Sequence, residues 1–141
     1  MTSENTPALD PALAELLASA EQAALNSYSP YSHFRVGAAL RLESGEIVTG
    51  TNVENVSYGL TICAERTAIF RAIAQFGPAV RIAAVAVANL NHSPSPPCGA
   101  CRQVLAEFIA PDAPILFPAA SGLRSMPFSE VLPLAFDMKL K

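Results

Sequence analysis

The run Ile82-Ala-Ala-Val-Ala-Val-Ala88 is apolar without a break, and it constrains the fold more than any other stretch of the chain. A strand with one wet face alternates apolar and polar residues. A strand with no polar position suits burial on both sides, which places Arg81 to Asn89 centrally in a sheet with further layers above and below it. Helical patterns supply those layers. Asp10 followed by Pro11 reads as an N-cap with proline at the first helical position, and Leu13, Leu16, Leu17, Ala20 and Ala24 recur at helical spacing. Tyr28-Ser-Pro-Tyr ends that helix. Phe34 to Glu43 then carries Val36, Ala38, Leu40 and Leu42 in alternation, and Ser44-Gly45 turns it into a partner strand over Glu46 to Asn52. Cys63 opens a second helix stopped by Gly77-Pro78. Cys98 opens a third, with Cys101, Val104, Leu105, Phe108 and Ile109 inward and an end before Pro111; Ala113 to Phe117 is a further strand. The order helix, two strands, helix, strand, helix, strand predicts a three-layer α/β domain with a mixed sheet.

At 141 residues the chain fits one domain, taken as residues 1–141 with 1–10 as a flexible N-terminus. Apolar residues make up 51% and charged residues 15%, a lean surface that leaves apolar area for another subunit to cover. The formal net charge is −3 and no run of Lys or Arg could track a phosphate backbone, so nucleic acid is not an expected partner. Met1 to Asp10 lacks the basic and apolar regions of a signal peptide, and no apolar stretch approaches the ~20 residues of a membrane span; the expected location is the cytoplasm. Three cysteines in such a compartment point to metal or catalysis rather than to a disulfide framework.

Cys63-Ala-Glu65 and Pro97-Cys98-Gly-Ala-Cys101 both sit at helix starts. Free N–H groups and the positive end of the helix dipole favour thiolates there. Cys98 and Cys101 are three residues apart and can face one point; with Cys63 they make three soft ligands, suited to tetrahedral Zn2+ with the fourth position left for water. Glu65 is not needed as a ligand, which frees it to move protons beside the metal. A ligand, one residue, Glu, and then Pro-Cys-x-x-Cys is the signature of the zinc deaminases.

The likeness extends beyond those boxes. Phe34-Arg-Val-Gly-Ala-Ala, Asn52-Val-Glu-Asn-Val-Ser-Tyr58, Cys63-Ala-Glu-Arg-Thr-Ala and Pro97-Cys-Gly-Ala-Cys-Arg-Gln-Val-Leu resemble cytidine deaminases of the small homotetrameric type, over roughly Leu13 to Phe136. The resemblance implies an α/β/α sandwich with a mixed five-stranded sheet, one Zn2+ per subunit, and hydrolysis of cytidine or deoxycytidine to the uridine form plus ammonia, as in pyrimidine salvage. It implies that Phe34 walls the pyrimidine, Asn52 and Glu54 bind ribose hydroxyls, the Ala64 backbone meets the base, Glu65 shuttles protons and Arg66 hydrogen-bonds the cysteine ligands. Tyr58 and Phe136 would reach a neighbouring subunit's site, the active sites of a homotetramer being shared. The match is weakest between Ala119 and Phe128.

Other readings of the same residues stand beside this one. Any single cysteine reads as core; a structural zinc site would need a fourth ligand, for which His92 is the nearby candidate; Cys98-Gly-Ala-Cys101 could serve redox chemistry; and a nucleoside-binding module needs no turnover. Within the deaminases, blasticidin S is an alternative cytosine-bearing substrate. His33 and His92 read as surface histidines, and Phe70, Phe76, Phe108 and Phe117 as core.

Overall fold

The computed structural model describes residues 9–138. The expected flexible N-terminus falls almost wholly outside them. The elements in chain order are α1 (Pro11–Ala24), β1 (Val36–Leu42), β2 (Ile47–Thr51), a 3-10 turn (Tyr58–Leu60), α2 (Ala64–Phe76), β3 (Ile82–Asn89), α3 (Gly99–Leu105), β4 (Pro114–Ala119), β5 (Gly122–Pro127) and α4 (Phe128–Val131). The five strands form one sheet in the order β2-β1-β3-β4-β5. β1 is antiparallel to β2 and β3, β3 is parallel to β4, and β4 is antiparallel to β5. The central place expected for the apolar run is where β3 lies.

Along β3 the run hides an alternation in size. Ala84, Ala86 and Ala88 meet α1 through Leu16 and Ala20, whereas Ile82, Val85 and Val87 face the α2 and α3 side with Ile69, Ala72 and Leu105. Small residues let α1 come close to the sheet, while branched ones fill the thicker layer opposite. Two glycines set the limits of approach. A Cβ on Gly37 of β1 would stand 2.1 Å from the Ala20 carbonyl oxygen of α1, and one on Gly50 of β2 would stand 2.4 Å from the Ala68 nitrogen of α2. Helices thus cover both faces, and the three-layer α/β/α arrangement with a mixed five-stranded sheet is present.

Local chemistry accounts for the helix ends. The Asp10 carboxylate caps α1 by accepting from Leu13 N–H at 2.9 Å, and Gly77 closes α2 at φ 94, a backbone angle natural to glycine. Cys63 and Cys98 are the N-cap residues of α2 and α3, without side-chain capping bonds, so both thiols are left free to point elsewhere.

Some expectations need correction. α3 ends at Leu105 rather than before Pro111: the chain tightens there, Phe108 N–H bonding back only three residues to Leu105, and the Phe108 carbonyl accepts from Ile82 N–H at 2.8 Å. Phe108 and Ile109 still pack against the core, but from a turn tied to β3. Phe117 is buried, whereas Phe70 and Phe76 are 48% and 41% exposed. Phe70 lies off the face of α2 that carries Ala68, Ile69 and Ala72, and Phe76, four residues beyond Ala72 on that face, is the last residue of the helix, so an apolar stripe buried neither.

Candidate active site

The starts of α2 and α3 bring Cys63, Cys98 and Cys101 together, their sulfur atoms all within 4.8 Å of one another. Cys63 Sγ and Cys98 Sγ are 3.6 Å apart. Cys101 is buried, Cys63 half-buried and Cys98 exposed. Hydrogen bonding with Cys101, helped by Arg66 and Cys98, holds the Cys63 thiol down at about 5 against the opposing effect of burial. The Cys101 thiol is correspondingly raised, chiefly by that same bond to Cys63 and then by burial. Thiols this close compete for ionisation, and a divalent cation is what would let all three be thiolates at once. Arg66 donates from Nη2 to Cys63 Sγ at 3.5 Å, and its buried Nε has no hydrogen-bond partner among the described residues. The donor set, the spacing and the adjacent cation fit a Zn2+ site held by three cysteines, with one position open.

Glu65, in the first turn of α2, is buried, 4% exposed, beside the thiols. Burial pushes its carboxyl up to about 7, with the negative Cys63 adding and Arg66 opposing. It forms part of a cleft of about 410 Å³ together with Phe34, Val36, Ala64, Val87, Cys63 and Cys98. The walls are mostly apolar, with a few convergent polar groups, the composition expected of a small-molecule site. Ala64 is the first residue of α2, so its N–H has no partner within the helix and is available to a ligand.

The other end of the cleft is built across long sequence separations. Asn52 follows β2 and is buried; its Oδ1 accepts from Val36 N–H at 3.0 Å and from the Ser27 hydroxyl at 2.5 Å, and its Nδ2 donates to the Phe34 carbonyl at 2.7 Å. Glu54 is also buried. Its Oε1 accepts from the N–H groups of Tyr31 and Ser32 at 3.0 and 3.1 Å, and its Oε2 accepts from the Ser32 hydroxyl. The Ser32 hydroxyl, with those two backbone bonds, holds the Glu54 carboxyl below the usual carboxylate range despite its burial. An amide has two N–H donors, and a carboxylate about four acceptor positions. Among the described residues, Asn52 therefore keeps one free N–H, and Glu54 about one free acceptor position, on Oε2.

A family model described as the cytidine and deoxycytidylate deaminase zinc-binding region matches residues 12–116. The chain belongs to that deaminase family. It is 46% identical over 122 residues to a cytidine deaminase of Halalkalibacterium halodurans, covering 86% of this chain and 91% of that one. A crystal structure of cytidine deaminase from Mycobacterium tuberculosis superposes with a TM-score of 0.78 at 40% identity, over 92% of this chain and all of the other. A blasticidin-S deaminase of Bacillus cereus is more distant, 30% identical over 107 residues, with 72% of this chain and 76% of that one covered.

Of the residues singled out on the family resemblance, Phe34, Asn52, Glu54, Ala64 and Glu65 line the cleft with the thiols, and Tyr58 stands at its rim, 64% exposed. Phe136 does not join them. It is exposed and borders a separate cavity of about 610 Å³ beside Gln103, whose amide donates to its carbonyl at 3.2 Å. His92 is also apart from the thiols, exposed next to Leu17 and Leu123, so it completes no four-ligand site. The cleft adds residues that sequence patterns did not reveal: Ser32, Thr61, and Pro94, Ser95 and Pro96 of the loop before Cys98. For that loop one signal was available, since a chain leading directly into a thiol at a helix start must pass the site.

Proposed function

We propose that the chain is a zinc-dependent hydrolase that converts cytidine and 2′-deoxycytidine to uridine and 2′-deoxyuridine with release of ammonia. One observation carries the reading: a single small cleft has a buried carboxyl beside three clustered thiols at one end and a paired hydrogen-bond donor and acceptor at the other. That length and polarity suit a cytosine ring joined to a sugar. A relative bearing the name cytidine deaminase at 46% identity supports it over the blasticidin S alternative, whose named relative is 30% identical.

Zn2+ held by Cys63, Cys98 and Cys101 supplies a Lewis acid able to bring the pKa of water near 7. Phe34, Val36 and Val87 hold the pyrimidine and exclude bulk water, which strengthens the electrostatic interactions inside. The free Ala64 N–H is placed to orient the base. Glu65 takes a proton from the attacking water and delivers it to N3 of the pyrimidine as the C4–O bond forms; the same carboxylate then takes the remaining proton from the new C4 hydroxyl and delivers it to the exocyclic nitrogen. The C4–N bond then breaks and ammonia leaves. Arg66 balances the negative charge gathered at the sulfurs.

At the sugar end, the one donor left on Asn52 and the one acceptor position left on Glu54 match what a single hydroxyl needs. That count is met if both groups converge on one ribose hydroxyl, and we read the pair in that way. With 2′-deoxycytidine and 3′-deoxycytidine as substrates, removal of that hydroxyl is expected to raise KM about tenfold or more, and removal of the other less than about threefold. Steady-state kinetics on the two analogues checks this, and equal losses on both would contradict it. Because the Glu54 carboxyl is held below the ordinary range, it stays an acceptor at mildly acidic pH, and its contribution is lost only as pH falls through that lowered value.

The fuller reading has residues 1–141 as one catalytic domain with one Zn2+ per subunit, working in the cytoplasm in pyrimidine salvage as a homotetramer. No helix of the described residues is long and apolar enough to cross a membrane. The exposure of Tyr58 at the cleft rim and of Phe136 supports assembly, in which other copies would cover them and share sites.

A further inference from the structure

The turn from Ser29 to Phe34 has more structure than a connection between α1 and β1 requires. His33 adopts φ 59, in the left-handed region that is uncommon for a non-glycine residue, and its backbone groups are held there. Two bonds hold them. His33 N–H donates to the Ser29 carbonyl at 2.9 Å, and the His33 carbonyl accepts from Asn91 Nδ2 at 2.9 Å. The result is that Tyr31 N–H, Ser32 N–H and the Ser32 hydroxyl all converge on Glu54, 22 or more residues away in sequence.

Among these groups Ser32 is singular. Its hydroxyl is the described side-chain partner of Glu54 Oε2, the oxygen with an acceptor position to spare, and it also accepts from Phe34 N–H at 3.0 Å. One small side chain thus joins the polar end of the cleft to its aromatic wall, and it lines the cleft itself. A hydroxyl has one donor and two acceptor positions, so donation to Oε2 directs that oxygen's remaining lone pair. The two backbone donors act on Oε1, so among these groups the Ser32 hydroxyl is the one that meets Oε2 directly.

We propose that Ser32 is a positioning residue for substrate recognition: its hydroxyl aims Glu54 Oε2 at the sugar and so sets affinity for the sugar hydroxyl without touching the chemistry at Glu65. The inference rests on the reading of Glu54 as a sugar contact. Nothing in it requires Ser32 to meet the reacting atoms, so binding of substrate should suffer while turnover does not.

Steady-state kinetics of the zinc-loaded wild type, Ser32→Ala and Ser32→Thr with cytidine and with 2′,3′-dideoxycytidine tests it. Ser32→Ala is expected to raise KM for cytidine about tenfold, with kcat within about twofold, and to leave KM for the dideoxy substrate within about twofold of the wild type. Ser32→Thr keeps the hydroxyl at an exposed position and should stay within about threefold of the wild type on both. Equal losses on both substrates in Ser32→Ala, or Ser32→Thr as impaired as Ser32→Ala, would mean that the residue only supports the turn, overturning the proposal. An unchanged KM for cytidine in Ser32→Ala would overturn it too. The wild type separates the two possible failures: indifference to loss of both sugar hydroxyls would show that the sugar reading of Glu54 has failed and taken this role with it. A wild type that needs the hydroxyls while Ser32→Ala behaves the same would remove the Ser32 role alone.

Discussion

Glu65→Gln is expected to lower kcat by about a thousandfold or more in a protein that still folds and still binds one Zn2+ per chain. The substitution replaces a buried carboxyl with an amide of nearly the same shape, so packing at the start of α2 is kept. What is lost is the ability to accept and return a proton, and a positioned general acid–base group contributes about 10²–10⁴-fold. Because in the proposed mechanism the same carboxylate serves both N3 and the departing nitrogen, the loss should fall at the upper end of that range. Activity within about tenfold of the wild type, measured on protein with verified metal content and an unaltered thermal midpoint, would mean that another group moves the protons.

Cys98→Ala has an effect of similar size by a different route. Cys98 is exposed and is no part of the apolar core, so its removal opens no large cavity. Two remaining thiolates hold zinc poorly, and the variant should retain less than about a tenth of the wild-type metal and correspondingly little activity. Thermal unfolding gives a second readout, because a ligand that binds only the native state raises its stability. Added zinc should raise the midpoint of the stripped wild type and leave that of Cys98→Ala unmoved. Full metal occupancy in the variant would show that the ligands lie elsewhere.

What the sequence makes legible, and what it hides, follows from the range of the interactions involved. Helix starts are readable because their chemistry is local: Asp10-Pro11, and a cysteine directly before each of α2 and α3, mark ends within a turn. β3 is readable because burial on both faces leaves no polar position before its last residue, Asn89. β5 is not. Among the described residues it is an edge strand, exposed at Gly122, Arg124 and Ser125 and paired with β4 alone, so Gly122-Leu-Arg-Ser-Met-Pro127 needs no apolar alternation. Sequence spacing overstates the length of α3 because Phe108 and Ile109 keep a helical rhythm while the backbone leaves the helix to pair with Ile82.

The site divides in the same way. The thiols and Glu65 stand out because a ligand set at two helix starts is a compact pattern. Phe34, Asn52 and Glu54 have no such local mark, and only likeness to a family draws them into the site. Ser32 has no mark at all: its partner is 22 residues along the chain, and a serine in a turn between Tyr31 and His33 is among the commonest kinds of turn residue. Long-range hydrogen bonds, which sequence periodicity does not encode, define the polar end of the cleft.

Metal-dependent release of ammonia from a free cytosine nucleoside is the central claim, and the most direct measurement is ammonia production from cytidine by the purified protein, zinc-loaded and chelator-stripped side by side. Rapid release by the loaded enzyme, stoichiometric with uridine, is predicted, with its disappearance on stripping and its return with added Zn2+. No release from a folded, zinc-loaded sample, or release unaffected by complete removal of the metal, would contradict that claim.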